Sequence, residues 1–271
     1  MVALRSFQIT MIIETNRGMW PCIFHGNGVS KDSPIFTRMK DIESKISYQE
    51  QDPREHDITI LTWSIPEERT LLQDNFKRMG IEQSLVVMPI EKPFNWLSKI
   101  KLLHEYMPYV KTKYVMALDA TDIMISTDNR GELWQNLINV YEDMNCNMVW
   151  NAEKNSWPNS TDFDGLKNEL TLMRQFEEKL YFLHLDSPYC YLNSGAFIGH
   201  TTYVKDFYSR LWDITEPYYN RGENEMMFGG DQGFVRMMQS TEFPRMIIDY
   251  ECKIFQTFNR LEEEEITIYE D

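Results

Sequence analysis

The chain has 271 residues, which is enough for one large α/β domain or two small ones and for a sizeable hydrophobic core. Its 42 acidic and 27 basic residues give a formal net charge of −15 at pH 7, which argues against nucleic acid as a partner, because a nucleic-acid-binding surface is normally basic. The N-terminus lacks the apolar core of a signal peptide and no run approaches the length of a membrane span, so we expect a cytoplasmic protein that does not enter a membrane.

Strand and helix patterns alternate along most of the chain. Short apolar runs bounded by turn residues predict strands at residues 7–13, 21–24, 58–62, 85–88, 114–118, 147–151, 191–199, 246–248, 254–256 and 266–269. Apolar residues at helical spacing predict helices at about 35–46, 64–79, 95–106, 131–144, 165–183, 202–213 and 229–238. The second of these is expected to begin with a capping box, Ser64-Ile-Pro-Glu67. This alternation is typical of βαβ units, so the predicted fold class is α/β with a mixed, mainly parallel central sheet flanked by helices.

The most informative stretch is the apolar run 114–118, which is followed by Asp119 and Asp122. Parallel sheets bind their ligands beyond the carboxyl ends of strands, where Asp119 falls, and Asp122 is close enough in a turn to face the same point. Two carboxylates there suit Mg²⁺ or Mn²⁺, which take carboxylates together with substrate phosphates. The residues alone leave open a turn in which Asp and Thr side chains make only local hydrogen bonds.

Three further stretches combine polar residues with strand ends or glycines. His25-Gly-Asn-Gly28 follows a strand and forms a tight loop whose backbone can approach a ligand. Asn193-Ser-Gly195 interrupts an apolar strand, which indicates a bulge or a close backbone approach. Asp231 stands at a helix start, where it is either a helix cap or a carboxylate presented to a substrate.

Six motifs recur together in a known enzyme group. They are Asp119-x-x-Asp122, Glu153 with Trp157-Pro158, Leu192–Gly199, Asp231-Gln232, Ile254–Asn259 and His25–Gly28. This set resembles the glycosyltransferase domain of procollagen lysyl hydroxylases and the wider group of GT-A transferases, and it covers most of the chain. The resemblance implies a single GT-A-like domain over residues 1–271.

One motif is out of the family's order. In the family the Gly-Asn-Gly loop follows the Phe-Gln strand, whereas here it lies near the N-terminus. We infer a circular permutation, since domain termini often lie close together and such a cut can leave a fold intact. Residues 1–56 would then be the permuted metal-site segment and its connector, 57–151 the nucleotide-binding half and 152–271 the acceptor half. The alternative is that the match of His25–Gly28 to the family's loop is coincidental and the loop lies elsewhere, in which case His25 is not part of the site.

Two departures concern the site itself. The family often has an aromatic residue between the two aspartates, where this chain has Ala120-Thr121, so nucleotide stacking is expected to differ. The family's acidic pair before Gln is reduced to Gly230-Asp231.

The implied reaction is transfer of a hexose, glucose or galactose, from a UDP-sugar to a hydroxyl of a protein (hydroxylysine-like) or of a glycan. The resemblance assigns Mn²⁺ or Mg²⁺ to Asp119, Asp122 and His25, and the role of base to Asp231 or Glu153. Expected nucleotide-binding residues are Thr62, Trp63, Lys99, Thr121, Gly26, Gly28 and Lys31. Expected sugar- or acceptor-binding residues are Asn193, Ser194, Gly195, Gln232 and Trp157. Two alternatives stay open: a non-catalytic sugar- or nucleotide-binding domain of this fold, and another metal-dependent nucleotide-sugar enzyme such as a nucleotidyltransferase.

Overall fold

The structure, a computed structural model, describes residues 11–46, 50–66, 68–90, 92, 95–126, 132–158, 167–183, 187–221 and 229–270. Its strands are β1 Met11–Thr15, β2 Ile23–His25, β3 Ile58–Ser64, β4 Leu85–Pro89, β5 Tyr114–Leu118, β6 Ile123–Ile125, β7 Met148–Glu153, β8 Tyr191–His200, β9 Met246–Ile248, β10 Phe255–Thr257 and β11 Ile266–Glu270. Its helices are α1 Pro34–Lys45, α2 Leu71–Arg78, α3 Ser98–Tyr106, α4 Leu133–Asp143, α5 Lys167–Leu183, α6 Thr201–Asn220 and α7 Gly230–Glu242.

The central sheet has six strands in the order β4-β3-β5-β8-β7-β9. The pairs β3/β4, β3/β5 and β7/β9 are parallel, whereas β8 runs antiparallel to both β5 and β7. This arrangement confirms the predicted α/β class with a mixed, mainly parallel sheet. The reversed direction of β8 brings its first residues to the carboxyl ends of β5 and β7.

Both faces of this sheet are covered. Along β5, Tyr114, Met116 and Leu118 pack into one hydrophobic cluster, while Val115 and Ala117 pack into the other. The alternation follows from the two-residue period of a strand, and the burial of both faces explains why the run 114–118 is apolar at every position. In the part of the chain that the structure describes, no helix has the length and apolar character that a membrane crossing requires.

A small sheet in the order β10-β2-β6 stands beside the central one. β2 pairs parallel with β10 and antiparallel with β6, which sets His25 opposite Ile123. The backbone N–H of Gly26 then donates to the carbonyl oxygen of Asp122 at 2.8 Å. β6 was not predicted from the sequence, and it is the element that anchors Asp122 next to β2.

A two-stranded antiparallel ribbon joins the first and last described strands. β1 pairs with β11 over the register Met11–Glu270 to Thr15–Ile266. The hydroxyl of Ser126, just after β6, donates to the carbonyl oxygen of Met11 at 2.9 Å. The ribbon therefore lies against the segment that carries the small sheet.

Several predicted boundaries were wrong. Ser64 is the last residue of β3 rather than a helix cap, because the chain stays extended there. The cap of α2 is Thr70, whose side chain accepts from the backbone N–H of Gln73 at 3.3 Å while the Gln73 side chain accepts in return at 2.9 Å. α6 continues beyond the predicted end through Pro217 to Asn220. The predicted positions 7–10, 67, 131 and 165–166 lie outside the described residues.

Glu242 at the end of α7 joins α6 and α7 and provides a pH-dependent test of the fold. It is buried and accepts from the Tyr203 hydroxyl at 2.6 Å and from Arg210 and Arg245. Burial acts to raise the pKa of Glu242, but Arg210 and Tyr203 outweigh it, so the pKa lies below its ordinary value of 4.5.

The Glu242→Gln variant is expected to be less stable than the wild type at neutral pH. A carboxyl whose pKa is lower in the folded state stabilises the fold above its unfolded pKa and loses that contribution as pH falls through its folded pKa. Urea unfolding at neutral pH and at successively more acidic pH below 4.5 should show the difference narrowing. A difference that stays constant with pH would contradict this role of Glu242.

Candidate functional site

Four strands deliver polar residues to one edge of the central sheet. β3 ends at Ser64, β5 is followed by Asp119, β7 ends at Glu153, and the start of β8 supplies Asn193. Since β3, β5 and β7 run in one direction, these positions meet at their shared carboxyl edge. The predicted convergence at this edge is present in the structure.

His25, Asp119 and Asp122 form a compact cluster at this edge. The distance from His25 Nε2 to Asp122 Oδ1 is 3.4 Å, and that from His25 Nε2 to Asp119 Oδ2 is 3.9 Å. One ligand atom from each residue lies within 4.8 Å of the others. His25 Nε2 and Asp122 Oδ1 are among the buried side-chain atoms without a hydrogen-bond partner in the described chain.

The residues of this cluster fit a divalent metal ion. Two donor atoms about 2.1 Å from a six-coordinate ion are roughly 3 Å apart in neighbouring positions and about 4 Å apart in opposite ones. The distances from His25 to the two carboxylates fall in that range, and buried polar atoms without partners are costly unless something satisfies them. The cluster could therefore hold a metal ion. One imidazole and two carboxylates suit Mn²⁺ better than an all-oxygen set would.

The charges of the cluster shift its pKa values in opposite directions. Burial is the main cause that raises the pKa of Asp119 to about 6, against the opposing effect of Lys99. Burial also acts to lower the pKa of His25, but the carboxylates of Asp122 and Asp119 outweigh it and raise that pKa above 6.5. The pKa of Asp122 is lowered, since the effect of His25 outweighs that of burial. When no ion is bound, His25 and Asp122 thus favour each other's charged forms, whereas burial disfavours the charged form of Asp119.

Lys99 contacts two carboxylates of the site. Its Nζ lies 2.7 Å from Asp231 Oδ2 and 3.2 Å from Asp119 Oδ1. It also donates to the carbonyl oxygen of Ser194 at 3.0 Å and lies 4.7 Å from the ring centroid of Trp63. These carboxylates raise the pKa of Lys99 despite its burial, so the side chain stays charged. Lys99 was expected to bind the nucleotide, and the structure adds that it links the carboxylates of Asp119 and Asp231.

Glu153 is surrounded by amides. It is 2% exposed, and its Oε1 accepts from Gln232 Nε2 at 2.8 Å and from Asn193 Nδ2 at 3.3 Å. Its Oε2 accepts from Asn27 Nδ2 and Asn259 Nδ2, both at 3.2 Å. Burial is the largest cause that raises the pKa of Glu153, and the amide donors oppose it. The side chain joins the loop after β2, β8, α7 and the loop after β10.

Gly195 lies directly against the cluster. A β-carbon there would lie 2.2 Å from His25 Cε1 and 2.8 Å from Asp119 Oδ2. The pairing of β7 with β8 shifts register between Trp150 and Asn151, opposite this part of β8. The interruption of the apolar strand was predicted to mark a bulge or a close approach, and both are present.

The Gly195→Ala variant is expected to displace the His25 ring and to weaken Mn²⁺ binding, with a loss of roughly 1–3 kcal/mol of stability from overpacking. Gly199→Ala is a matched control on the same strand, since its β-carbon would meet Val204 Cγ2 at 2.7 Å and the carbonyl oxygen of Asn147 at 2.9 Å. Titration calorimetry should show weakened Mn²⁺ binding for Gly195→Ala alone, while both variants lose stability. Equal Mn²⁺ affinity in the two variants would contradict the placement of Gly195.

A cavity of about 530 Å³ opens over the cluster. Most of the predicted site residues line it: His25, Gly28, Lys31, Trp63, Lys99, Asp119, Thr121, Asp122, Glu153, Trp157, Asn193, Ser194, Gly195, Asp231 and Gln232. This volume lies within the usual range for small-molecule sites.

Two predicted nucleotide-binding residues are not part of that lining. Thr62 is fully buried and donates its hydroxyl to the carbonyl oxygen of Leu118 at 2.7 Å. Successive side chains of a strand point to opposite faces, so Thr62 points away from the side of β3 on which Trp63 lines the cavity. Gly26 is buried, and a β-carbon there would lie 2.6 Å from the ring of Phe36. A glycine at residue 26 is therefore required for packing against Phe36 of α1, and its assignment to the nucleotide stays a prediction.

The cavity also contains residues that were not assigned from the sequence. Among them are Asn27, Ser64, Ile65, Glu68, Thr70, Ile90, Trp96, Asn155, Gly229 and Asn259. Trp96 is 46% exposed and precedes α3, where its β-carbon lies 3.1 Å from the position of a β-carbon built on Gly230. Asn27 and Asn259 lie inside two of the six motifs, so the motifs themselves carried a signal for them.

Comparison with known proteins does not identify a family. No family model matches the chain, and no curated protein matches it significantly. What the residues establish is an α/β fold in which a partly buried His25, Asp119 and Asp122 group could bind a metal ion.

Proposed function

We propose that this protein is a metal-dependent glycosyltransferase that moves a hexose, glucose or galactose, from a UDP-sugar to a hydroxyl acceptor. The observation that carries the proposal is the convergence of His25, Asp119 and Asp122 within 4.8 Å at the wall of a cavity of about 530 Å³. The six sequence motifs support the same reaction, since each of them contributes side chains to that cavity.

His25, Asp119 and Asp122 would hold Mn²⁺, or Mg²⁺, through Nε2 and one carboxylate oxygen each. When bound, the ion would act as a Lewis acid that neutralises charge on the departing diphosphate. Lys99 and Lys31 supply further positive charge at the cavity wall, and Lys99 is held in place by Asp119 and Asp231.

The nucleotide would lie against Trp63, Thr121 and Gly28. Trp63 is only 8% exposed and has the Lys99 ammonium over its ring, so one aromatic face is already occupied. Trp96 is the more exposed tryptophan of the cavity and offers a second aromatic surface. This arrangement agrees with the expectation that base stacking departs from the family, where an aromatic residue often separates the two aspartates.

The sugar and the acceptor would lie toward Asn193, Gln232 and Trp157. Between the two candidate bases we propose Asp231, because both oxygens of Glu153 are engaged by amides. Asp231 lines the cavity in the first turn of α7, with Lys99 Nζ 2.7 Å from its Oδ2, and would accept the proton of the acceptor hydroxyl.

The circular permutation belongs to the same proposal. The parallel pairing of β10 with β2 supports it, because in the family the Gly-Asn-Gly loop follows the Phe-Gln strand. The pairing of β1 with β11 supports it further, because residues 1–56 would follow β11 directly in the family's order, so these two strands should be neighbours. The single-domain assignment and its three segments stay predictions.

A panel of UDP-sugars tests the proposed reaction. The protein with Mn²⁺ should release UDP from UDP-glucose or UDP-galactose, and release should stop when the ion is chelated. Binding of UDP-sugars without release of UDP would favour a non-catalytic domain. Formation or consumption of pyrophosphate in place of UDP would favour a nucleotidyltransferase. The UDP-sugar that releases UDP is then tested as the donor with hydroxylysine peptides and glycans as acceptors.

A further inference from the structure

We propose that Glu153 is a positioning residue: acting through Asn193, it holds His25 in the tautomer whose Nε2 carries a free lone pair facing Asp119 and Asp122. This inference deepens the proposed function and rests on the metal site described there. Neither Glu153 nor Asn193 contacts the carboxylates through a direct hydrogen bond, so their effect on the site passes through His25.

The orientation of the Asn193 amide is fixed from two sides. The backbone N–H of Gly195 donates to Asn193 Oδ1 at 2.9 Å, and a backbone N–H can only donate. At the other end, Asn193 Nδ2 donates to Glu153 Oε1 at 3.3 Å, and a carboxylate can only accept. Both contacts require the oxygen of the amide to face His25.

This orientation determines which ring nitrogen of His25 carries the proton. His25 Nδ1 lies 3.1 Å from Asn193 Oδ1, which has lone pairs only, so Nδ1 must be the N–H. In the neutral ring Nε2 then has a lone pair, and it faces Asp122 Oδ1 at 3.4 Å. Metal-binding histidines commonly donate their other ring N–H to an oxygen acceptor, which fixes the ring and its tautomer.

The opposite tautomer has two contacts in its favour. Its Nε2–H would point at Asp122 Oδ1, 3.4 Å away, a contact that a bound metal ion would replace. Asn151 Nδ2 lies 3.3 Å from His25 Nδ1 and could donate to a lone pair there. That tautomer would direct the Nδ1 lone pair at the lone pairs of Asn193 Oδ1, the closer of the two neighbours. Asn151 Nδ2 also lies 3.3 Å from Asn193 Oδ1 and is satisfied by it in the proposed arrangement.

Glu153 is suited to this role because a carboxylate accepts at both oxygens. Four amides donate to it, two at each oxygen, from Asn27, Asn193, Gln232 and Asn259. A glutamine at this position would turn an NH₂ group toward two of those donors. The NH₂ group of Asn193 would then lose its hydrogen-bond acceptor or face another NH₂ group. The preference of His25 for the Nδ1–H tautomer would weaken.

The test combines Glu153→Gln with a matched control. The control is Glu43→Gln, which also changes a buried carboxylate that accepts from an asparagine amide and an arginine, but in α1 and outside the cavity lining. Mn²⁺ affinity is measured by titration calorimetry, and the tautomer of His25 by ¹⁵N NMR of the metal-free protein at a pH where the ring is neutral. We expect the wild type and Glu43→Gln to show Nδ1–H, and Glu153→Gln to lose that preference and to bind Mn²⁺ about 10- to 100-fold more weakly.

The outcomes separate this inference from the proposed function. A wild type that shows Nδ1–H but binds no Mn²⁺ would overturn the metal site and leave the positioning of His25 by Glu153 in place. An Nε2–H tautomer in the wild type would overturn the inference without any variant, even if Glu153→Gln fails to fold. A folded Glu153→Gln protein with an unchanged tautomer would also overturn it, whatever its Mn²⁺ affinity.

Discussion

Replacing Asp122 with alanine is expected to lower the Mn²⁺ affinity by more than about 100-fold and to abolish Mn²⁺-dependent UDP release. Loss of a residue that merely supports a metal ligand typically costs 10- to 100-fold, and Asp122 would be a ligand itself. In the metal-free protein the variant should keep its fold. Asp122 Oδ1 has no hydrogen-bond partner among the described residues, and removal of the carboxylate relieves repulsion with Asp119.

Thermal or urea unfolding with and without Mn²⁺ measures the same effect independently of activity. An ion at 100 times its dissociation constant stabilises a folded protein by about 2.7 kcal/mol, and Asp122→Ala should lose this gain. Asp206→Ala is the control, since Asp206 forms an exposed ion pair with Arg210 on α6. An Asp122→Ala protein that still gains stability from Mn²⁺ as the wild type does would remove Asp122 from the proposed site.

Replacing Lys99 with methionine is expected to destabilise the metal-free protein by about 3–5 kcal/mol at neutral pH. Lys99 is 12% exposed and is the cation between Asp119 and Asp231, and removal of one partner from a buried ion pair leaves uncompensated charge. The loss should shrink at acidic pH, because protonation of Asp119, whose pKa is already raised to about 6, removes that charge.

Mn²⁺ should restore part of the stability that Lys99→Met loses, because the ion returns positive charge to Asp119. We therefore expect a larger gain from Mn²⁺ in this variant than in the wild type, measured by urea unfolding. Lys101→Met on the same helix is the control, since Lys101 forms an i,i+4 pair with Glu105 at 3.7 Å and lies 5.4 Å from the ring centroid of Tyr219. Loss of these two contacts should change stability by about 1 kcal/mol or less. Similar stability of the two variants would show that Lys99 does not compensate the carboxylates.

The sequence predicted the position of the site because its signals are local. The apolar run 114–118 ends in Asp119, and the glycine at 195 breaks an otherwise apolar strand; both patterns can be recognised without knowing the fold. The α/β class followed from the alternation of strands and helices. That His25 lies beside the aspartates could be predicted only from the family resemblance together with the inferred permutation. In the structure His25 Nε2 is 3.4 Å from Asp122 Oδ1 and 3.9 Å from Asp119 Oδ2.

What the sequence could not provide depends on side-chain direction and on tertiary contacts. Thr62 and Trp63 are adjacent in one strand, and only the packed sheet determines which of them faces the cavity. The strand at Ile123–Ile125 is too short for a periodic signal and forms because β2 pairs with it. Glu153 has the residue type of a base, but its four amide neighbours come from distant parts of the chain. A glycine is needed at residue 26 because the ring of Phe36 packs against it, and no local sequence pattern reveals this contact.

The small sheet has a consequence for folding kinetics. β2 pairs with β6, which places His25 beside the turn between β5 and β6. The other edge of β2 pairs with β10, which lies near the opposite end of the described chain. Contacts between residues so far apart in sequence form late in folding, because closing a long loop costs conformational entropy before the new contacts can stabilise the chain. An ion that needs all three ligands would find no partial site in an early intermediate. Mn²⁺ should therefore slow unfolding much more than it accelerates refolding.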